Sequence, residues 1–167
     1  MQYSLATLFA LVLASGASAA NTLLSGKGFG TYYYDIKQTK ACGADFSNQN
    51  KGSVMCSWTK GRTLNDINSN NLVAMANTAL KTAEGRSKYC GKRVIVTVNG
   101  KKSNIPFFIG DGCERCAHGS DSTWNANGAA GLDFSYSQLA ALSSEACAKG
   151  HISISYEIVD ETLYSNF

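Results

Sequence analysis

The sequence predicts a mainly β domain, a small closed barrel of short strands with two short helices. Three observations point there. Arg93–Val98 is a β-branched run ending at Asn99-Gly100, the dipeptide of a type I′ turn, and Lys101–Ile109 returns from it, so a hairpin is expected. His151–Asp160 alternates Ile152, Ile154, Tyr156 and Ile158 with polar residues, the pattern of a half-buried strand. The 16 glycines, with many Ser, Thr and Asn, leave little material for long helices.

In chain order, Met1–Ala19 reads as a secretory signal: Leu5–Leu13 is a short apolar core and Ala17-Ser18-Ala19 an A-x-A cleavage site. That run is too short to span a bilayer, so a secreted, extracellular protein with no membrane association is expected. Residues 20–167 fit one domain, long enough to bury a core. Gly26–Asp35 reads as the first strand, with Phe29, Thr31 and Tyr33 on one face and Gly30, Tyr32 and Tyr34 on the other. Ala41–Ser57 reads as a loop, stapled in one reading by Cys42 and Cys56, and Trp58–Asn71 is polar and turn-rich. Leu72–Leu80 has apolar residues at helical spacing.

Pro106 belongs at an edge, a bulge or an unpaired position, because it cannot donate to a ladder. Ile105–Ile109 reads as a buried strand that ends in the turn signal Gly110-Asp111-Gly112. Ser135 and Gln138 form a capping pattern for the second helix, which Lys149 and Gly150 end.

The six cysteines, Cys42, Cys56, Cys90, Cys113, Cys116 and Cys147, imply three disulfides in an exported chain. Spacing does not fix their pairing. Cys90 with Cys116 is one expectation, because both lie near the same end of the hairpin. Cys113-x-x-Cys116 lacks the second pair or the histidines that would complete a metal site, so neither metal nor cofactor is expected. Fifteen basic and 12 acidic residues give a net charge of +3, without a basic stripe, and no nucleic-acid partner is expected. A monomer is expected.

Candidate chemistry gathers between Phe107 and Ser135. Asp111 and Asp133 flank one long loop that carries Trp124. Asp133 sits between Leu132 and Phe134, an apolar setting that should raise its pKa. It lies just before a Ser-capped helix, where an Asp is often only a dipole-facing or capping residue, so that reading stands beside the functional one.

Four segments in order, Gly28–Tyr33, Cys90–Val94 with its hairpin, Gly110–Cys116 and Gly131–Ser135, resemble the double-psi β-barrel group. That group includes the catalytic-like domain of expansins, fungal loosenins, rare-lipoprotein-A-like proteins, barwin-type proteins and family 45 glycoside hydrolases. The resemblance runs from about Gly26 to Val159 and implies a six-stranded double-psi β-barrel. It implies that Asp133 matches the acid of the L-D-[LF]-S motif needed for wall loosening, and that Asp111 matches the acid of the preceding strand. Thr31 matches the threonine of G-x-x-T-Y. Tyr33 follows on the same face, and Trp124 could stack on a sugar in an open groove. The chain resembles a loosenin more than a full expansin, whose second, carbohydrate-binding domain has no counterpart here.

Inverting hydrolysis needs a general acid and a general base across a water. Asp133 could be the acid. Asp35 resembles the base of some family 45 enzymes, with Tyr34 in place of their Trp, but it could equally be a turn residue after a strand. The leading expectation is a protein that binds and loosens cell-wall polysaccharide of cellulose, chitin or peptidoglycan type without hydrolysis. The alternatives are a secreted interaction protein, such as a protease inhibitor or a host-directed effector, and a weak glycoside hydrolase.

Overall fold

The computed structural model describes residues 20–118 and 131–167. Among the described residues nine strands fall in this order: β1 Thr22–Tyr34, β2 Lys40–Ala41, β3 Ala44–Asp45, β4 Leu72–Ala76, β5 Lys92–Val98, β6 Lys101–Lys102, β7 Phe107–Cys113, β8 Leu132–Ser135 and β9 His151–Thr162. Six short helices lie among the described residues: α1 Leu64–Ile67, α2 Asn77–Leu80, α3 Ala83–Tyr89, α4 Glu114–His118, α5 Tyr136–Leu142 and α6 Ala146–Lys149. None is long and apolar enough to cross a membrane.

Seven strands form one mixed sheet in the order β6-β5-β7-β4-β8-β1-β9, and β5 also pairs with β9, so the pairings run in a circuit. β1 is parallel to β8 and antiparallel to β9. β4 is parallel to β7 and touches β8 at Ala74 opposite Asp133. The enclosed core holds Val94, Val96, Phe107, Ile109, Leu132, Phe134, Ile152, Ile154 and Ile158.

The hairpin forms as expected. Asn99 and Gly100 take positive φ of 50° and 78°, as a type I′ turn requires, and Val98 pairs with Lys101. Pro106 lies between β6 and β7, exposed and outside the ladder. The buried faces of β9 are the expected Ile152, Ile154, Tyr156 and Ile158. Ser135 caps α5, its hydroxyl accepting from the Gln138 amide, and Gly150 ends α6 in the left-handed conformation.

Other expectations are corrected. Leu72–Leu80 is not one helix: Leu72–Ala76 is a strand, and only Asn77–Leu80 is helical. Leu72, Val73, Ala74 and Met75 are all buried, which suits a strand covered on both faces as well as it suits a helix. Gly110-Asp111-Gly112 does not turn. It continues β7 against Ala74 and Met75. A Cβ on Gly110 would stand 2.2 Å from Leu72, and one on Gly112 2.4 Å from Met55, so these glycines allow close packing.

The alternation in β1 also breaks. Register shifts between Tyr32 and Tyr34, and the Tyr34 ring leaves the main core for a second cluster with Val54, Leu64, Leu72 and Phe108. The capping box of α1, Thr63 with Asp66, lies in a segment read from sequence as turns alone. The helix expected to run on to Lys149 is two helices, α5 and α6.

Both disulfide expectations are overturned. The pairs are Cys42–Cys147, Cys56–Cys90 and Cys113–Cys116. The turn Met55–Ser57 packs against β7, which brings Cys56 rather than Cys116 to Cys90. One turn at the start of α4 lets Cys113 reach Cys116. By loop-closure entropy, the separations of 105, 34 and 3 residues stabilise by about 4.8, about 3.8 and about 1.6 kcal/mol respectively. The three bridges are the usual mark of a protein folded in an oxidising compartment.

Asp35 closes β1. It is fully buried, and one carboxylate oxygen accepts from the amides of Lys37 at 2.8 Å and Gln38 at 2.7 Å and from Asn70 Nδ2 at 3.2 Å. The other accepts from the Ser137 amide at 2.7 Å. Burial raises its pKa, but the bonds from Ser137, Gln38 and Lys37 outweigh that and hold it below the ordinary carboxyl value. Asp35→Ala strands these donors and should cost about 3 kcal/mol or more in urea unfolding at pH 7. Because the folded pKa is depressed, Asp35's share of stability is present above the unfolded value of about 4 and is lost as pH falls through the folded pKa. The gap between wild type and variant should therefore narrow in acid. A gap independent of pH would show that the bonds do not depend on the charge.

Candidate functional site

The expected residues come together on neighbouring strands. Thr31 of β1 lies opposite Asp133 of β8, and its hydroxyl donates to the Asp133 carboxylate. Two residues on, Tyr33 points the same way, and its hydroxyl donates to Asp111 Oδ2 at 3.0 Å. Asp111 Oδ1 accepts from the amides of Met55 at 2.7 Å and Gly112 at 2.8 Å. β4 lies between the two acids, with Ala74 paired to both Asp111 and Asp133.

Asp133 is 8 % exposed. Burial raises its pKa, with Asp111's charge adding to the rise, while the Thr31 hydroxyl and the Arg115 charge oppose it. Burial also raises Asp111, against its bonds from Met55, Gly112 and Tyr33. The Tyr33 phenol is pushed well above its ordinary value, by burial first and then by Asp111's charge, so it remains a donor. Asp133 is therefore a buried strand residue paired with half-buried Asp111 across β4, and Ser135 does the capping.

Asp35 stands with Asn70 and Ser137 instead. Its four accepted bonds and lowered pKa describe a structural carboxylate. Trp124 lies outside the described residues. Cys113, Cys116 and Asp133 present potential ligand atoms within 4.8 Å of one another, but the two sulfurs are bonded together.

Sequence reasoning missed Trp58. Its ring is 66 % exposed, against 37 % for Leu163, the other large exposed apolar side chain among the described residues. Trp58 borders a surface cavity with Ser53, Val54, Met55 and Asp111, and the Arg86 guanidinium lies 5.7 Å from its ring centre. The signal was present: Trp58 stands in Ser57-Trp58-Thr59-Lys60-Gly61, with no apolar neighbour to share a buried face.

No family model matches the sequence, and no curated protein matches it. Among solved structures, a Streptomyces papain inhibitor is similar over 84 % of this chain and 99 % of its own, at 22 % identity and a TM-score of 0.47. That TM-score is too low to assign this chain a fold or a partner.

The acid cluster sets a stability test. A carboxyl whose folded pKa is raised holds its proton more tightly in the folded state. Its ionisation opposes folding as pH rises from the unfolded value of about 4 through the folded pKa. Asp133→Asn removes that penalty while keeping a side chain that can accept from Thr31. The variant should melt at or above wild type at pH 7, with the difference disappearing toward pH 4. A variant that melts below wild type at pH 7 would show the charge to be stabilising there.

Proposed function

We propose that this is a secreted interaction protein that binds a protein partner through the loop carrying Trp58, without cleaving a glycan. The observation that carries this reading is the exposure of Trp58 on a loop that is already ordered. The Val54 amide bonds to Arg62 O at 2.9 Å, the Gly61 amide to Ser57 O at 2.8 Å, and Ser53 bridges Thr63. Cys56–Cys90 anchors the loop's base. Trp is the residue type most often found as a binding hot spot, and an ordered loop loses little entropy on binding. Secreted proteases belong among the partners to be screened, because an exposed aromatic ring on an ordered loop is suited to fill a cleft.

Hydrolysis has less support. Asp133 is buried, Asp111 accepts three bonds and Asp35 four, so no described carboxylate on this face stands ready as a general base. The circuit of pairings and its two parallel pairs support the double-psi β-barrel reading. A second reading, non-hydrolytic binding of wall polysaccharide, is favoured by the cavity that sets Trp58 beside Asp111, an aromatic face next to a hydrogen-bonding acid.

One panel separates the readings. Wild type, Trp58→Ala and Asp133→Asn are measured against purified cysteine and serine proteases and against cellulose, chitin and peptidoglycan, with sugar release followed alongside. Protein binding that falls by about 2 kcal/mol, roughly 30-fold, in Trp58→Ala and is unchanged in Asp133→Asn is the expected result. Retention on a polysaccharide that is lost in Asp133→Asn would put the wall-binding reading first. Released sugar would restore the hydrolase.

A further inference from the structure

The Cys113–Cys116 disulfide closes the smallest loop of the three, 3 residues against 34 and 105, and so does least to hold the fold together. Yet it lies at the acid cluster. Both sulfurs and an Asp133 carboxylate oxygen lie within 4.8 Å of one another. All three residues are buried, at 6 %, 5 % and 8 % exposure. The Cys116 backbone amide already donates to Cys113 Sγ at 2.9 Å, the contact that would steady a thiolate there.

We infer that the Cys113–Cys116 bridge is a thiol–disulfide exchange site, with Asp133 giving the departing sulfur its proton. The co-reactant is a small thiol or a thiol of another protein. Its thiolate attacks Cys116 Sγ, a new sulfur–sulfur bond forms, and the Cys113–Cys116 bond breaks with its electron pair moving to Cys113 Sγ. A buried sulfur leaves poorly as a bare anion, so the Asp133 carboxyl transfers its proton to Cys113. A second thiolate then attacks the thiol's own sulfur in the mixed disulfide and releases Cys116 as a thiolate, which is protonated from water. Asp133 recovers its proton from solvent. The sum is two thiols oxidised to one disulfide and one protein disulfide reduced to two thiols. Burial favours a protonated Asp133, as this role needs. Oxidation by a disulfide runs the same path backward, with the Asp133 carboxylate taking the Cys113 proton.

The folded wild-type protein is exposed to reduced glutathione or dithiothreitol, quenched in acid, alkylated and mapped by peptide mass. Accessibility alone would open Cys42–Cys147 first, because Cys147 is exposed. The inference expects Cys113 and Cys116 to be labelled first, while the fold is intact, and oxidised glutathione to restore the bridge. Earlier opening of Cys42–Cys147 or Cys56–Cys90, or a Cys113–Cys116 bridge that persists until the protein unfolds, would overturn it. Asp133→Asn should slow both reduction and reoxidation roughly tenfold or more, and rates equal to wild type would remove Asp133 from the step. The wild-type labelling order needs no variant, so it decides the matter even if Asp133→Asn fails to fold.

Discussion

Thr31 faces Asp133 across one edge of β1 and His151 across the other, so at Gly30 and Thr31 the strand is paired on both sides. That double pairing fixes which residues meet. A slip of one residue would send Thr31 and Tyr33 to the opposite face, away from the carboxylates they now bond. Glycines permit the closeness. A Cβ on Gly131 would stand 2.6 Å from Phe29 O, and one on Gly30 2.9 Å from the Phe134 ring. Where β1 ends, Asp35 ties it to Asn70 and to the start of α5.

Three aspartates show how environment decides what one residue type does. Asp35 is surrounded by donors, so its charge is stabilised although it is fully buried. Asp111, half-buried with three donors, and Asp133, buried with one, have fewer donors than Asp35, and burial moves their pKa values the other way. The same residue type is thus a stabilised carboxylate at Asp35 and a carboxyl of raised pKa at Asp111 and Asp133. Ionising Asp111 and Asp133 therefore opposes folding as pH rises, whereas ionised Asp35 favours it.

The loop from Ser53 to Thr63 joins this interior to the surface. Its Met55 amide bonds to Asp111, and a few residues later Trp58 stands in solvent. Cys56–Cys90 fixes the same segment to the strand layer. An exposed aromatic ring on a mobile loop binds weakly, because ordering it on contact costs entropy. Here the hydrogen bonds and the bridge have ordered the loop in advance, and half-buried Asp111 is one of its anchors.

The sequence by itself determined the local features. The Asn99-Gly100 hairpin, the alternating last strand, the Ser135 cap and the Gly150 helix end each depend on residues a few positions apart, and each formed. The motif resemblance placed Thr31, Tyr33, Asp111 and Asp133 in one cluster, and the apolar neighbours of Asp133 pointed to its raised pKa; the bond between Thr31 and Asp133 was not read from the sequence. Only the tertiary structure decided the rest. Leu72–Met75 is apolar at every position, so periodicity could not tell a doubly covered strand from a buried helix, and neighbours β7 and β8 made the choice. Disulfide partners depend on which loops meet in space, and the packing of Met55–Ser57 on β7 has no local signature. Asp35 could be read as a base because its spacing fits. In the fold its carboxylate instead accepts bonds from Asn70 and Ser137, far along the chain, that burial brings within hydrogen-bonding distance.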